Sequence, residues 1–208
     1  MLPILYSFRR CPFAIRARMS LAYAGIEVEH REVLLRNKPD AMLQASAKAT
    51  VPVLVLPEGR VIDESVDVMR WALEQSDPDH WWSQNDEQQA VELVRKCDFE
   101  FKTHLDHYKY ADRYPENPQV VYRQKAEYFL TDLEQRLQNK KYLLHHRISY
   151  PDVAIFPFIR QFAMVDKPWF DRAPYPGLQS WLESFLSSVL FLSVMTKYPP
   201  WKEVKDHE

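Results

Sequence analysis

The hydrophobic period of this chain changes once, and that change constrains its fold more than any other feature. Before residue 76 extended apolar runs alternate with helical stripes; after residue 82 only the helical stripe persists. Leu2–Phe8 is a short apolar run of strand character. Pro12–Ala24 carries Phe13, Ala14, Ala17, Leu21 and Ala24 at helical spacing, and Gly25 follows as the expected stop. Ile26–Leu35 turns extended around Val28 and Val33. Val53–Leu56, Pro57-Glu58-Gly59 and Arg60–Ile62 predict a hairpin, and Glu64–Gln75 returns to helix. The order β-α-β-(short helix)-β-β-α predicts an α/β domain over residues 1–75, a compact mixed sheet with helices packed on it.

Residues 76–82, polar and carrying Pro78, read as a linker. Trp81-Trp82 at its end are expected to wedge between domains. Beyond it, Ala90, Leu93, Val94, Cys97, Phe101, Leu105 and Tyr108 share one face of a long helix. Ala126, Phe129, Leu130, Leu133 and Leu137 mark a second. Val153–Ala163 is apolar nearly all round, which predicts a helix at the centre of a bundle, and Leu178–Leu192 supplies one or two more. Residues 83–208 therefore read as an all-α second domain.

Composition narrows the function. Lys+Arg total 27 against 29 Asp+Glu, a balance that calls for neither nucleic acid nor an anionic membrane. No stretch reaches the ~18 uninterrupted apolar residues of a membrane span. The start lacks the basic region of a signal peptide and reads as a strand. Three glycines, Gly25, Gly59 and Gly177, leave no phosphate-cradling motif. The two cysteines, Cys11 and Cys97, form no disulfide framework and suit a reducing, cytoplasmic compartment.

Cys11-Pro12-Phe13-Ala14 stands where a strand and loop pass into a helix. Pro12 suits the first helical position, which puts Cys11 at the N-cap. There the helix dipole and open backbone N–H groups favour thiolate over thiol. Arg9, Arg10, Arg16 and Arg18 act in the same direction, weakened by solvent screening. Ser, Thr, Asp and Asn are the ordinary N-caps, so a cysteine here points to chemistry. The position of a resolving thiol in C-x-x-C proteins is Ala14, and Cys97 lies on a packing stripe. A lone thiolate can open a disulfide but needs an outside thiol for release, and glutathione is the abundant cytosolic one.

With Leu5-Tyr6-Ser7, Cys11-Pro12-Phe13-Ala14, Arg16 and Arg18, the chain resembles the cysteine-type, omega-like and glutaredoxin-like members of the cytosolic glutathione transferase superfamily, in a bacterial style. Thr50-Val51-Pro52-Val53-Leu54 is similar to the family's V-P-x-L element, Asp63-Glu64-Ser65 to its E-S element, and Ser149-Tyr150-Pro151-Asp152 to its S-x-x-D capping segment. The resemblance runs end to end. It implies a thioredoxin-like N-terminal domain before the helical one, a cis Val51-Pro52 bond, a homodimer, and glutathione as co-substrate with no other cofactor. It implies that Phe13, Lys38, Val51, Pro52, Glu64 and Ser65 hold glutathione: Val51 by backbone pairing, Glu64 and Ser65 at the γ-glutamyl end, where a helix start offers N–H groups and a hydroxyl, and Lys38 at the glycyl carboxylate. Ser149 and Asp152 read as a structural capping box.

The preferred expectation is a thiol transferase or reductase with catalytic Cys11, acting with glutathione on a small-molecule or mixed-disulfide second substrate. Conjugation of glutathione to small electrophiles is an alternative that Tyr6 keeps open; a non-catalytic interaction protein of this fold is another. Phe101, His104 and Tyr108 are candidates for the second-substrate site. His104, His107, His145 and His146 come with no complete ligand set, so no metal is expected. Neither nucleic acid nor membrane is an expected partner.

Overall fold

The computed structural model of the chain describes residues 1–202. Contacts divide the described residues into two compact units, Met1–Asp79 with residues 189–202, and His80–Ser188.

In the first unit, β1 (Ile4–Ser7), α1 (Pro12–Tyr23), β2 (Glu29–Glu32), α2 (Asp40–Ala45), β3 (Val53–Val55), β4 (Val61–Ile62) and α3 (Ser65–Gln75) follow the expected order. The four-stranded sheet runs β2-β1-β3-β4, with β1 parallel to β2 and antiparallel to β3. This is a thioredoxin-like domain. Alternation along the strands sends successive residues to different cores. Leu5 and its register partner Leu54 pack with Ala17, Leu21, Val68 and Ala72 from α1 and α3. Tyr6 and its partner Val53 pack with Ala14, Val33, Met42 and Val51. Removing a fully buried side chain such as Leu54 would cost about 2–5 kcal/mol.

Helix α1 begins and ends as the sequence predicts. Pro12 fills its first turn, and Gly25 beyond its end adopts φ +70°. The Ile26 N–H reaches back to the Leu21 carbonyl at 2.9 Å, the closing bond of a Schellman turn.

The second unit is helical: α4 (Glu87–Arg95), a π-helical segment at Lys96–Phe101, α5 (Lys102–Lys109), α6 (Gln119–Leu137), α7 (Tyr150–Ala163), α8 (Lys167–Phe170) and α9 (Pro176–Leu186). The long predicted helix over residues 90–108 thus carries a wide turn containing Cys97, yet its apolar face stays buried throughout. Helix α7 is buried almost all round. Its capping box is present, and the Asp152 carboxylate takes the backbone N–H of Ser149 at 3.0 Å. Two further donors, Leu143 N–H and the Trp181 indole, each reach it at 2.9 Å. Trp81 and Trp82 join this unit: the Tyr150 N–H bonds the Trp81 carbonyl, and the Trp82 ring meets Tyr150 edge-on.

One boundary differs from the sequence expectation. Residues 189–202, expected in the helical domain, group with the sheet unit. Helix α10 (Val189–Val194) packs on α1, and the Trp201 N–H bonds the Glu32 carbonyl at 2.8 Å. A helical apolar stripe states that a segment packs, not which unit receives it. No helix among the described residues is long and apolar enough to cross a membrane.

Candidate functional site

Cys11 occupies the N-cap of α1 with extended backbone, φ −71° and ψ 123°. Its own N–H bonds the Phe8 carbonyl, and its carbonyl accepts from Ile15 to open the helix. The thiol does not cap the helix. The N-cap position predicts a sulfur aimed at backbone N–H groups; instead Sγ lies 3.8 Å from the Val51 carbonyl oxygen. That carbonyl belongs to a cis peptide bond, Val51-Pro52. The thiol is partly exposed, as a nucleophile must be, whereas Cys97 is fully buried.

Of the four arginines near Cys11 in sequence, all expected to be screened by water, two are not. Arg16 is 1% exposed and Arg18 is 6% exposed. Arg16 lies 5.1 Å from the Phe13 ring centroid and donates to the Ser65 hydroxyl from Nε at 3.0 Å and Nη2 at 2.9 Å. Ser65, the first residue of α3, is itself buried, so its oxygen serves Arg16 inside the protein. Burial lowers the Arg18 pKa to about 10, with Glu32 and Cys11 opposing the shift.

Glu64, the α3 N-cap, meets a partner that the sequence did not suggest. Lys48 Nζ lies 2.6 Å from the Glu64 carboxylate and 2.9 Å from Asp63. These acceptors raise the lysine pKa to about 12. Ser46 and Lys48 hold the Asp63 carboxyl below its usual range. Lys38 stands half-buried in the loop before α2. Among the described residues no hydrogen bond or ion pair ties it to the other candidates. The structure therefore joins Cys11 to Val51, and Phe13, Arg16, Ser65, Glu64 and Lys48 in a second chain of contacts.

Tyr6 is core: it is buried, and its hydroxyl accepts from Arg31 at 2.7 Å. The Arg31 guanidinium also lies 4.2 Å from the Trp201 ring centroid. Neither partner carries a motif. The burial of Arg16 and Arg18, named from the sequence but expected in water, left one legible signal: both sit in a short helix flanked by alanine and apolar residues, where a buried cation needs acceptors.

The three second-substrate candidates separate. Phe101 and His104 line a cavity of about 570 Å³ in the helical unit, with Lys125, Phe129 and Tyr128. Tyr108 is not among its lining residues; it is buried against Phe162. The His104 Nδ1 atom is buried with no hydrogen-bond partner. Burial, then Lys125 and His107, depress the His104 pKa.

Two family models match the chain: "Glutathione S-transferase, N-terminal domain" over residues 5–81 and "Glutathione S-transferase, C-terminal domain" over residues 89–184. The chain is 27% identical over 201 residues to glutathione S-transferase omega-1 of Rattus norvegicus, covering 94% of this chain and 77% of that protein. Glutathione transferase Omega 3C of Trametes versicolor superposes with a TM-score of 0.80 at 17% identity, over 96% of this chain and 91% of the other. A glutathione transferase from Pseudomonas putida, solved with one glutathione disulfide per subunit, gives 0.79 at 18% identity over 93% and 90%. At these identities the structural matches speak for the fold.

Proposed function

The chain belongs to the glutathione S-transferase family, and on that premise we propose that it is a cytoplasmic, homodimeric glutathione-dependent thiol transferase whose nucleophile is Cys11. The observation that carries this reading is the placement of Cys11: partly exposed, at the start of α1, its sulfur beside the carbonyl that precedes cis-Pro52. The omega-type relatives, and the glutathione disulfide bound to the Pseudomonas putida protein, support it.

In this reading the backbone of Val51 pairs with the cysteinyl part of glutathione, and Pro52 shapes that edge. Phe13 borders the thiol side. Glu64 takes the γ-glutamyl ammonium with Lys48 beside it, while Ser65 and the α3 N-terminus take the carboxylate. Lys38 takes the glycyl carboxylate. Although Sγ makes no cap bond, the positive end of the α1 dipole favours the thiolate form of Cys11. That thiolate attacks the glutathione sulfur of a mixed disulfide R–S–S–G, forming Cys11–S–S–G and releasing RS⁻, which takes a proton. The thiolate of a second glutathione attacks the bound glutathionyl sulfur, releasing Cys11 thiolate and oxidised glutathione. The net exchange, RSSG + GSH → RSH + GSSG, needs no other reductant. Phe101 and His104, which line one cavity of the helical unit, are the residues proposed for the second substrate.

Cys11→Ser tests the reading. It should abolish turnover of a glutathione mixed disulfide while retaining binding to a glutathione resin, because a hydroxyl cannot form the mixed disulfide. Tyr6→Phe should keep most of the turnover, since its hydroxyl already serves Arg31. Full activity in Cys11→Ser with loss in Tyr6→Phe would assign a tyrosine-type conjugating enzyme instead.

A further inference from the structure

We infer that Arg18 is a positioning residue for Cys11: its guanidinium ties the turn Ser7–Arg9, which delivers the nucleophile, to the chain segment at Val194–Met195, and keeps a buried positive charge on the carbonyl that also takes the Cys11 backbone N–H. The inference rests on the thiolate reading of Cys11 given above.

The bonds are specific. Nη1 donates to the Ser7 hydroxyl at 2.6 Å and to the Phe8 carbonyl at 3.3 Å, and Nη2 donates to the Arg9 carbonyl at 2.8 Å. The Phe8 carbonyl accepts the Cys11 N–H as well, at 3.1 Å. One oxygen therefore sets the cation and the nucleophile's backbone relative to each other. On the other side Nε donates to the Val194 carbonyl at 3.0 Å, with Met195 Sδ 3.9 Å from Nη2. A lysine could not span these acceptors, because only the planar fork presents donors in both directions.

Glu32 closes the arrangement. Its Oε1 accepts the Arg9 N–H at 2.8 Å and its Oε2 lies 3.1 Å from His30 Nε2. The Arg9 backbone is thus held from both ends, its N–H by Glu32 and its carbonyl by Arg18. The residue 198–201 stretch rests on the same strand: Tyr198 stacks on His30, and the Trp201 N–H bonds Glu32's carbonyl. The charged and titratable groups acting on Arg18 include Glu32 and His30 from β2, Cys11 and Arg9 from the turn, and Tyr198 from the last described stretch. With a pKa of about 10 the guanidinium remains a cation at neutral pH. A cation held this way favours the thiolate, and burial limits its screening by salt.

The test is the pH profile of Cys11 alkylation by iodoacetamide in the full-length chain, in a Cys97→Ser background so that one thiol reports. Arg18→Gln should move the alkylation midpoint up by about one pH unit while the high-pH plateau rate stays the same. Glu32→Gln, which keeps an oxygen for the Arg9 N–H but removes the opposing charge, should move it down. Arg10→Gln, an exposed cation next to Cys11, should move it far less. Arg18→Lys should hold the midpoint nearer the parent's yet lower mixed-disulfide turnover, since the charge remains and the clamp does not. Superimposable profiles for Arg18→Gln and the parent, both folded by thermal unfolding, overturn the inference. Should Arg18→Gln not fold, Glu32→Gln decides, and an unshifted or upward midpoint overturns it. A parent without mixed-disulfide turnover would instead remove the thiol-transferase reading, leaving the alkylation shift to be judged separately.

Discussion

The Ser65 hydroxyl accepts two hydrogen bonds from one side chain, Nε and Nη2 of Arg16, at 3.0 and 2.9 Å. This pair links the interior of α1 to the first turn of α3, so one buried contact joins the helix that presents Cys11 to the helix whose start carries Glu64. Ser65→Ala leaves a buried guanidinium without that shared acceptor and should lower stability by about 2–3 kcal/mol. Glutathione affinity should fall with it, because the α3 N-terminus loses its anchor. Denaturant unfolding and calorimetric titration with glutathione read the two effects. Unchanged stability would mean that Arg16 finds equal partners elsewhere.

Cys97 sits fully buried in the π-helical segment, packed as a small apolar group. Cys97→Ser should therefore keep mixed-disulfide turnover near the parent's, with stability lower by about 1 kcal/mol for burying a hydroxyl. A large loss of turnover in a folded variant would assign Cys97 a resolving role and end the monothiol mechanism.

Asp152 does more than close a capping box. Its carboxylate accepts from Ser149 N–H at 3.0 Å, Ser149 Oγ at 2.5 Å, Leu143 N–H and the Trp181 indole, all buried. A cap alone is worth about 1 kcal/mol. Stranding several buried donors should bring the loss in Asp152→Ala to about 3 kcal/mol or more. Thermal unfolding measures it, and activity per folded molecule should stay close to the parent's.

His104 gives stability a pH dependence. Its pKa is lower in the folded protein than in the unfolded chain, where it lies near the ordinary value of about 6.5. The unfolded state then binds the proton more readily, so the contribution of His104 is complete above that value. It is lost as pH falls through the lower, folded value. His30 is depressed in the same direction by burial. The unfolding midpoint should fall between pH 7 and pH 5, and His104→Gln should fall less over the same interval. Parallel curves for parent and variant would count against a depressed His104.

The element order of the sheet unit, the start and stop of α1, the N-cap position of Cys11 and the capping box of α7 were all legible in the amino-acid sequence. Each rests on local chemistry: a fixed proline φ, a glycine able to adopt positive φ, a 3.6-residue stripe, and a Ser and an Asp three residues apart. Local rules also separated the sheet from the helices, because strands and helices bury their faces with different periods. What the side chains meet emerged only on folding. Arg16 and Arg18 read as solvated charges until α3 and the chain beyond Val189 enclose them, and enclosure turns two cations into clamps. Lys48 reaches Glu64 across sixteen residues, and Tyr6 surrenders its hydroxyl to Arg31 on the neighbouring strand. The return of the last described residues to the sheet unit has the same origin. A backbone carbonyl such as that of Val194 looks identical at every position in a sequence, and only the folded chain shows which guanidinium needs it.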